Sequence, residues 1–195
     1  MSAVLQRPMT LAEFLDWEER QELRYEFDGF QPAAMTGGTA AHETIAGTLR
    51  SLLYQRLRGK PCRPWGPTTK IEVQGRVRYP DAHVNCTPFS PSATIVPEPV
   101  VVFEVLSPKT SRTDRIEKLR EYQATASIQR YVILEQDSIA ATVFSRMGAD
   151  WIARALTEGD LLQMPEIGIE LVLSEIYADV DLSPGEDTEA ASSRT

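Results

Sequence analysis

Two acidic residues stand in segments where a carboxylate needs a partner. Asp81 follows Pro80 at the start of a strand-like segment, and Glu104 lies inside the apolar run 100–106. Apolar residues at successive positions predict a strand that is covered on both faces. A carboxylate removed from water there costs several kcal/mol unless a cation or good hydrogen-bond donors meet it. We therefore expect Glu104 to be either half of a structural ion pair or a metal ligand.

The two acids favour metal chemistry because their strands follow one another along the chain. Two carboxylates on adjacent strands, both directed inward, can chelate a hard divalent cation such as Mg²⁺ together with waters. Such a cation polarises a phosphoryl oxygen and lowers the pKa of a bound water. A nearby lysine would orient that water or neutralise the charge that develops in the transition state.

The segment around Asp81 predicts a strand with one polar face. Over residues 78–85, Asp81, His83 and Asn85 alternate with the small or apolar Ala82 and Val84. Polar atoms kept inside a fold should have partners, so we expect the three polar side chains to converge. Pro80 cannot donate a ladder hydrogen bond and therefore marks a strand start or an irregularity.

The segment after Glu104 supplies the candidate lysine. Residues 113–126 predict a helix in which Ile116, Leu119, Tyr122 and Ala126 form the buried stripe. Asp114, Lys118 and Tyr122 are four residues apart and line one edge of that stripe. Lys118 either projects toward the end of the Glu104 strand or pairs with Asp114 on the helix surface. Lys109, in the preceding loop, is the weaker alternative.

Two further residues accompany this core. Glu26 lies on the first of two short strands, for which Asp28-Gly29 predicts a two-residue hairpin turn, and a solvated edge position is its ordinary interpretation. His42 lies in the first turn of a helix predicted over about 40–57, where a surface or capping role is the alternative to a ligand role. The basic residues in and after this helix form either a solvated face or a phosphate-facing rim.

The length, composition and net charge of the chain predict a soluble protein with one domain. The chain has 195 residues, of which 42% are hydrophobic, and a net charge of −8 that counts against broad nonspecific nucleic-acid binding. No apolar run could span a bilayer and no signal peptide is apparent, so we expect a cytoplasmic location. Cys62 and Cys86 make no disulfide framework and are expected to be reduced thiols. We expect one domain over 1–181 and a disordered tail over 182–195.

The remaining segments complete the predicted fold. Thr10 and Glu13 form a capping box at the start of a helix over 10–25. Residues 69–73 form a strand that turns at Gln74-Gly75, and 128–137 form the last core strand. A hairpin that turns near Gly148-Ala149 follows, and its outer edge could pair with another copy of the chain.

The order of these features resembles the PD-(D/E)xK nuclease superfamily, and more specifically the Uma-two family of candidate bacterial endonucleases. The resemblance covers about residues 11–180. Where the superfamily pattern has a lysine two residues after the acid, this chain has Leu106, and the Uma-two pattern places the lysine at Lys118 instead. The matching fragments are RYEFDG, the helix with His42, RYPDAHV, VVFEVLSPKT, Asp114…Lys118…Tyr122 and YVIL.

The resemblance implies a restriction-endonuclease-like α/β fold, with a central mixed β-sheet flanked by helices and additional β-hairpins. It implies Asp81 and Glu104 as metal ligands, with the backbone carbonyl of Val105 as a third. Glu26 and His42 match residues of the family motifs and are expected in the same cleft.

The leading expectation is a Mg²⁺-dependent DNA endonuclease, with Mn²⁺ as a substitute metal and Asp81, Glu104 and Lys118 as catalytic residues. The alternative is a weakly active or inactive protein that keeps the nuclease fold and binds nucleic acid or regulates it. A third reading is a phosphodiesterase acting on RNA or a small nucleotide. DNA is the expected partner, and superfamily members that cut both strands often form homodimers.

Overall fold

The central element of the structure is the strand that the apolar run predicts. The computed structural model describes residues 7–35, 37–106 and 113–182. The strands are β1 (Tyr25–Phe27), β2 (Pro32–Ala34), β3 (Arg63–Trp65), β4 (Ile71–Val73), β5 (Arg76–Arg78), β6 (Ala82–Asn85), β7 (Pro99–Val105), β8 (Arg130–Leu134), β9 (Ala140–Met147), β10 (Asp150–Thr157), β11 (Leu161–Met164) and β12 (Ile169–Val172). The helices are α1 (Leu11–Glu18), α2 (Ala40–Leu57), α3 (Leu119–Ala124) and α4 (Leu173–Ile176), with a π-helical turn over Thr113–Lys118 and a 3₁₀ turn over Pro165–Ile167.

The main sheet has six strands in the order β10-β9-β8-β7-β6-β3. Strand β7 pairs antiparallel with β6 and parallel with β8, so the sheet is mixed and β7 has neighbours on both sides. A parallel pair needs a crossover connection, and here the segment with the π-helical turn and α3 supplies it. Every residue of β7 except Val100 is buried, as expected for a strand covered on both faces.

A second sheet, in the order β2-β1-β5-β4, packs next to the first. The strand predicted over 78–85 is therefore two strands, because β5 belongs to the second sheet and β6 to the main sheet. Pro80 explains the break, since it has no N–H to continue the ladder. The chain thus changes sheets immediately before Asp81.

Two apolar clusters cover the two faces of the main sheet. On one face, alternate residues of β7 such as Val101 and Phe103 pack with α2, α4 and the β11–β12 hairpin. On the other face, Val102 and Leu106 pack with Ile71 of β4 and Tyr122 of α3. A smaller cluster around Phe14 and Phe27 joins α1 to the second sheet.

The local signals of the sequence agree with the structure in part. The capping box of Thr10 and Glu13 is present, and α2 covers the predicted residues. Helix α1, however, ends at Glu18 rather than near residue 25. The loop between β1 and β2 has four residues rather than the two of Asp28-Gly29, since Phe27 pairs with Pro32. Strand β3 was not predicted, because its three residues include a proline and no alternating pattern.

The segment predicted as one helix over 113–126 differs most from the prediction. Its first part is a π-helical turn, in which side chains no longer recur with the α-helical spacing. Ile116 is consequently 44% exposed instead of buried, whereas Lys118 is 5% exposed. The loop residue Lys109 lies outside the described residues, as does the side chain of Asp114.

The two cysteines correct an expectation from the sequence. Cys62 and Cys86 form a disulfide rather than remaining reduced thiols. They flank the β3–β6 pair, in which Arg63 lies opposite Asn85, so the register brings them face to face. The 24-residue separation gave no sign of this, because β3 itself was not recognised.

No helix in the described part of the chain is both long and apolar enough to cross a membrane. The disordered tail was predicted over 182–195, and residues 183–195 of it lie outside the described residues.

We expect the disulfide to stabilise the fold. Closing a loop of 24 residues restricts the unfolded chain, which corresponds to about 3 kcal/mol. The Cys62→Ser/Cys86→Ser double variant should therefore lose about 3 kcal/mol of unfolding free energy in urea titrations. Thiol titration of the unfolded wild type without reductant should find no free thiol, and two free thiols would contradict the disulfide.

Candidate active site

The two acids singled out by the sequence lie side by side. In the antiparallel β6–β7 pair, Ala82 lies opposite Phe103, so the next position places Asp81 opposite Glu104. The backbone N–H of Val105 donates to Asp81 Oδ2 at 2.7 Å. The Asp81 carboxylate therefore continues the ladder at the point where β6 begins.

Helix α2 holds Asp81 from the other side. His42 Nε2 lies 3.3 Å from Asp81 Oδ2, and Arg50 Nη1 donates to the Asp81 backbone carbonyl at 3.3 Å. The first turn of α2 is fixed by Thr39, whose side chain accepts from the His42 N–H. His42 is thus a neighbour of the candidate ligand and not merely a capping residue.

Glu104 is buried and has two side-chain donors from the crossover segment. Lys118 Nζ lies 2.9 Å and Tyr122 Oη 3.0 Å from Glu104 Oε1. Burial, and next the negative charge of Glu104, raise the pKa of Tyr122 well above its usual value, so its phenol remains a donor. Their four-residue spacing places both groups on one edge of the helix.

Leu106 occupies the strand position at which the superfamily pattern has lysine. Its side chain is buried in the apolar cluster that also contains Val102 and Tyr122. The amine that meets Glu104 comes instead from Lys118, across the interface between strand and helix. This arrangement favours the strand-directed alternative for Lys118 over a surface pair with Asp114.

Lys118 also contacts Glu26, which connects the site to the second sheet. Lys118 Nζ lies 3.3 Å from Glu26 Oε1, and Arg78 Nη1 donates to Glu26 Oε2 at 3.0 Å. Arg78 further binds both carboxylate oxygens of Glu121, at 2.8 and 2.7 Å. We call Glu104, Lys118, Glu26, Arg78 and Glu121 the buried ion network. Glu26 is therefore not the solvated edge residue of the ordinary interpretation.

The buried ion network fixes the ionisation of Glu26. Burial alone would raise the pKa of this carboxyl, but the charges of Lys118 and Arg78 and the N–H of Tyr79 lower it below its usual value. The three carboxylates of this network face Lys118 and Arg78, and the partly exposed Arg76 adds a third cation 3.2 Å from Glu121. With Asp81 beside them, four carboxylates gather in a region with little solvent.

The donor set fits a hard divalent cation. Within the described residues, no group of three or more His, Cys, Asp and Glu side chains is arranged to hold a metal ion. Mg²⁺, however, is commonly held by only one or two carboxylates, with waters and substrate phosphates completing its shell. Asp81 and Glu104 occupy opposite positions of neighbouring chain segments, so the residues present are compatible with that cation.

Two polar residues of the predicted face do not join the site. The amide of Asn85 donates to the backbone carbonyls of Thr87 and Pro97 and so closes a loop. His83 is fully buried, its Nε2 lies 3.4 Å from Thr69 Oγ1, and its Nδ1 has no hydrogen-bond partner. Burial lowers its pKa to about 3, so the ring is neutral. The predicted convergence of all three side chains was wrong.

Most of the basic residues near α2 are engaged elsewhere. Arg56 pairs with Glu175, and Lys60 Nζ donates to the Gly168 carbonyl. Both line a cavity of about 680 Å³ next to the β11–β12 hairpin that contains none of the candidate site residues. Among the basic residues in and just after α2, Arg50 contacts Asp81 directly. Arg50 was missed as a site residue, as were Arg78 and Glu121, since each is part of an ordinary helix or strand pattern. Tyr122 was named only as a neighbour of Lys118 on the helix edge and as part of a matching fragment.

The mixed sheet, its crossover helix and the paired acids define a restriction-endonuclease-like protein. A solved structure titled a putative nuclease belonging to DUF820, from Anabaena variabilis, has this fold with a TM-score of 0.73 at 17% identity. The match covers 88% of this chain and 98% of that one. The fold class expected from the sequence is thereby confirmed.

The chain belongs to the Uma2 family, described as "putative restriction endonuclease", which matches residues 11–175. An uncharacterized protein of Synechocystis is 31% identical over 169 residues, which cover 85% of this chain and 89% of that protein. The family expected from the sequence fragments is confirmed, and with it a nuclease family as the coarse class of the protein.

We expect Arg78 to be essential for stability. The Arg78→Met variant removes the buried cation of Glu121 and leaves Glu26 with Lys118 alone, which should cost about 3–5 kcal/mol of unfolding free energy. Arg76→Met is the matched control, because Arg76 contacts the same Glu121 at 3.2 Å but is 41% exposed. Its loss should be within about 1 kcal/mol. If urea titrations gave the two variants equal losses of unfolding free energy, the burial of Arg78 would not be the cause.

We also expect Glu26 to contribute to acid sensitivity. Its folded-state pKa is lowered, so its contribution to stability is present above the ordinary value of 4.5 and is lost as pH falls through the lowered pKa. The difference in unfolding free energy between wild type and Glu26→Gln should therefore shrink below about pH 4.5. The exposed Glu72→Gln variant is the control, with a small difference at every pH. A difference for Glu26→Gln that is independent of pH would contradict the prediction.

Proposed function

We propose that the protein is a divalent-metal-dependent endonuclease that hydrolyses DNA phosphodiester bonds. The observation that carries the proposal is the placement of Asp81 opposite Glu104, with Lys118 held against Glu104. Membership in a family described as endonucleases supports the same reaction class. Asp81, Glu104 and Lys118 come from separate elements, so it is the fold that brings them together.

Asp81 and Glu104 are the residues that would hold Mg²⁺ or Mn²⁺, with the Val105 carbonyl as the further ligand that the family resemblance implies. When bound, the cation supplies charge neutralisation at the phosphate and makes a bound water more acidic. His42 and the Val105 N–H hold the Asp81 carboxylate in place. Tyr122 does the same for Glu104.

Lys118 is the residue that would act on the reacting groups. Its ammonium lies beside the ligand Glu104, so it is positioned to donate to a phosphate oxygen and to offset the negative charge formed during attack. Glu26 and Glu104 hold it from two sides, which limits its movement.

The substrate must be bound locally, since the chain as a whole carries a net charge of −8. Arg50 is the basic side chain next to Asp81, with 20% of its surface exposed. A phosphate at the site would therefore meet Arg50, Lys118 and the cation rather than a broad basic surface. We therefore expect that substitution of Lys and Arg residues far from the site will change DNA binding little.

The test is cleavage of supercoiled plasmid with Mg²⁺, Mn²⁺ or no metal. Wild type should nick the plasmid only with metal, and Asp81→Asn, Glu104→Gln and Lys118→Met should each reduce the rate by about 10²-fold or more. Glu170→Gln, on an exposed position of β12, is the control and should cut like wild type. Circular dichroism should confirm that each variant is folded.

Titration calorimetry with Mn²⁺ distinguishes a metal-dependent nuclease from an inactive protein with the same fold. Metal binding that is lost in Asp81→Asn and Glu104→Gln but kept in Lys118→Met would support the assigned roles. Cleavage of single-stranded RNA or a small phosphodiester, but not of DNA, would overturn the substrate. A folded wild type that neither binds metal nor cuts any substrate would overturn the enzyme and favour an inactive nucleic-acid-binding or regulatory protein.

A further inference from the structure

Strand β10 is an unusually open edge of the main sheet. It pairs with β9 over eight consecutive residues without a bulge, and within the described residues nothing pairs with its outer side. Its sequence, DWIARALT, contains neither proline nor lysine, the residues that most often protect such edges. Ile152 is 55% exposed at the middle of this strand. A long, regular edge with an exposed isoleucine is suited to pairing with another strand.

The hydrogen-bond pattern shows which groups of β10 face outward. The Arg146 N–H donates to the Gln129 carbonyl on the β8 side, so alternate residues of β9, including Ser145 and Met147, bond toward β10. Their partners on β10 are Ile152 and Asp150. The alternate residues of β10, which are Trp151, Ala153 and Ala155, therefore direct their backbone N–H and C=O groups to the outer side.

We propose that a second copy of this chain pairs antiparallel with β10 about a two-fold axis at Ile152. In this register Ile152 faces the same residue of the other copy, and Asp150 faces Arg154 twice. Trp151 and Ala153, whose backbone groups point outward, exchange the hydrogen bonds. The register thus satisfies backbone pairing, apolar contact and charge complementarity together.

Neighbouring registers satisfy fewer of these conditions. A two-fold axis at Arg154 would bring two guanidinium groups into opposition, and like charges opposite each other destabilise a strand pair. An axis at Ala153 would place Ile152 opposite Arg154. An axis at Trp151 would place Asp150 opposite Ile152. Arg154 is also available for a new partner, because its ion pair with Asp160 is long, at 3.8 Å, and its side chain is 64% exposed.

The proposed dimer joins two six-stranded sheets into one continuous sheet. The Asp81 ends of the two copies point in opposite directions, because the central pair is antiparallel. Each candidate active site is built from a single chain, so the dimer is independent of the proposed endonuclease activity. Pairing through one strand buries less surface than a typical stable interface, so we expect a dimer that dissociates on dilution.

The register is tested by disulfide cross-linking of the full chain. Ile152→Cys places two cysteines at a non-hydrogen-bonded pair, where Cα atoms are about 4.5 Å apart and a disulfide fits. Mild oxidation should convert this variant to a covalent dimer. Arg154→Cys, on the same face, is the matched control and should stay monomeric on a nonreducing gel. Cross-linking of Arg154→Cys in place of Ile152→Cys would overturn the register.

The charge pairs are tested by sedimentation over a concentration series. Asp150→Arg and Arg154→Asp each create two like-charge pairs per dimer, so each should raise the dissociation constant by roughly 10-fold. The double variant restores opposite charges in every pair and should return close to wild type. This rescue distinguishes pairing at β10 from a general effect of charge or folding.

Backbone pairing is tested with Ala153→Pro. This proline removes an N–H that points outward and leaves the bonds between β9 and β10 intact, so the chain should fold but lose the dimer. A wild type that is monomeric at its highest soluble concentration would overturn the proposal. A dimer that is unaffected by Ala153→Pro and by charge reversal would overturn the proposed surface. Neither result bears on metal binding or cleavage.

Discussion

The buried ion network is the interaction on which the rest of the structure depends. Its members come from β1, β5, β7 and the crossover segment, and so connect both sheets to the helix between them. Each charge alone would be costly in this environment, and only the complete set offers every member a partner. The network therefore favours one arrangement of the two sheets, since a shifted arrangement would leave a buried charge unpaired. That arrangement also fixes Lys118 next to Glu104.

The position of the site follows from the point at which the chain changes sheets. Pro80 interrupts the ladder after β5, and Asp81 then stands where β6 begins, with its carboxylate receiving the Val105 N–H. A residue in the middle of a regular strand could not use its side chain in this way, because the neighbouring strand would already occupy that N–H. The irregularity in the sheet thus places the Asp81 carboxylate at the edge of the core. There, His42 and Arg50 of α2 contact Asp81.

The sequence alone could predict the strands and helices that have a clear local pattern of residues. The apolar run around Glu104 identified β7, the spacing of apolar residues identified α2, and the turn near Gly148-Ala149 identified the β9–β10 hairpin. The partners of Glu26 could not be found in this way. Its contacts with Arg78 and Lys118 join residues far apart in the chain, and an acid on a short strand has the same local pattern whether it is solvated or paired.

The misplaced elements have specific physical reasons. The π-helical turn over Thr113–Lys118 changes which side chains face the core, so a pattern with α-helical spacing assigned Ile116 incorrectly. The Cys62–Cys86 disulfide depends on β3, a three-residue strand that contains Pro64 and has no recognisable periodicity. In both cases the tertiary environment, rather than local propensity, determines the structure.

The double contact of Lys118 gives the network a role in the proposed chemistry. A lysine paired only with Glu104 would lose its counter-charge whenever that carboxylate turned to a bound cation, and a buried ammonium would then remain unpaired. Glu26 removes this difficulty, because it lies 3.3 Å from the same Nζ and is itself held by Arg78. Glu104 is thus able to serve a cation without the lysine leaving its position. In the proposed site, Lys118 takes the place of the lysine that the superfamily pattern has on the strand, and a carboxylate from the second sheet holds it there.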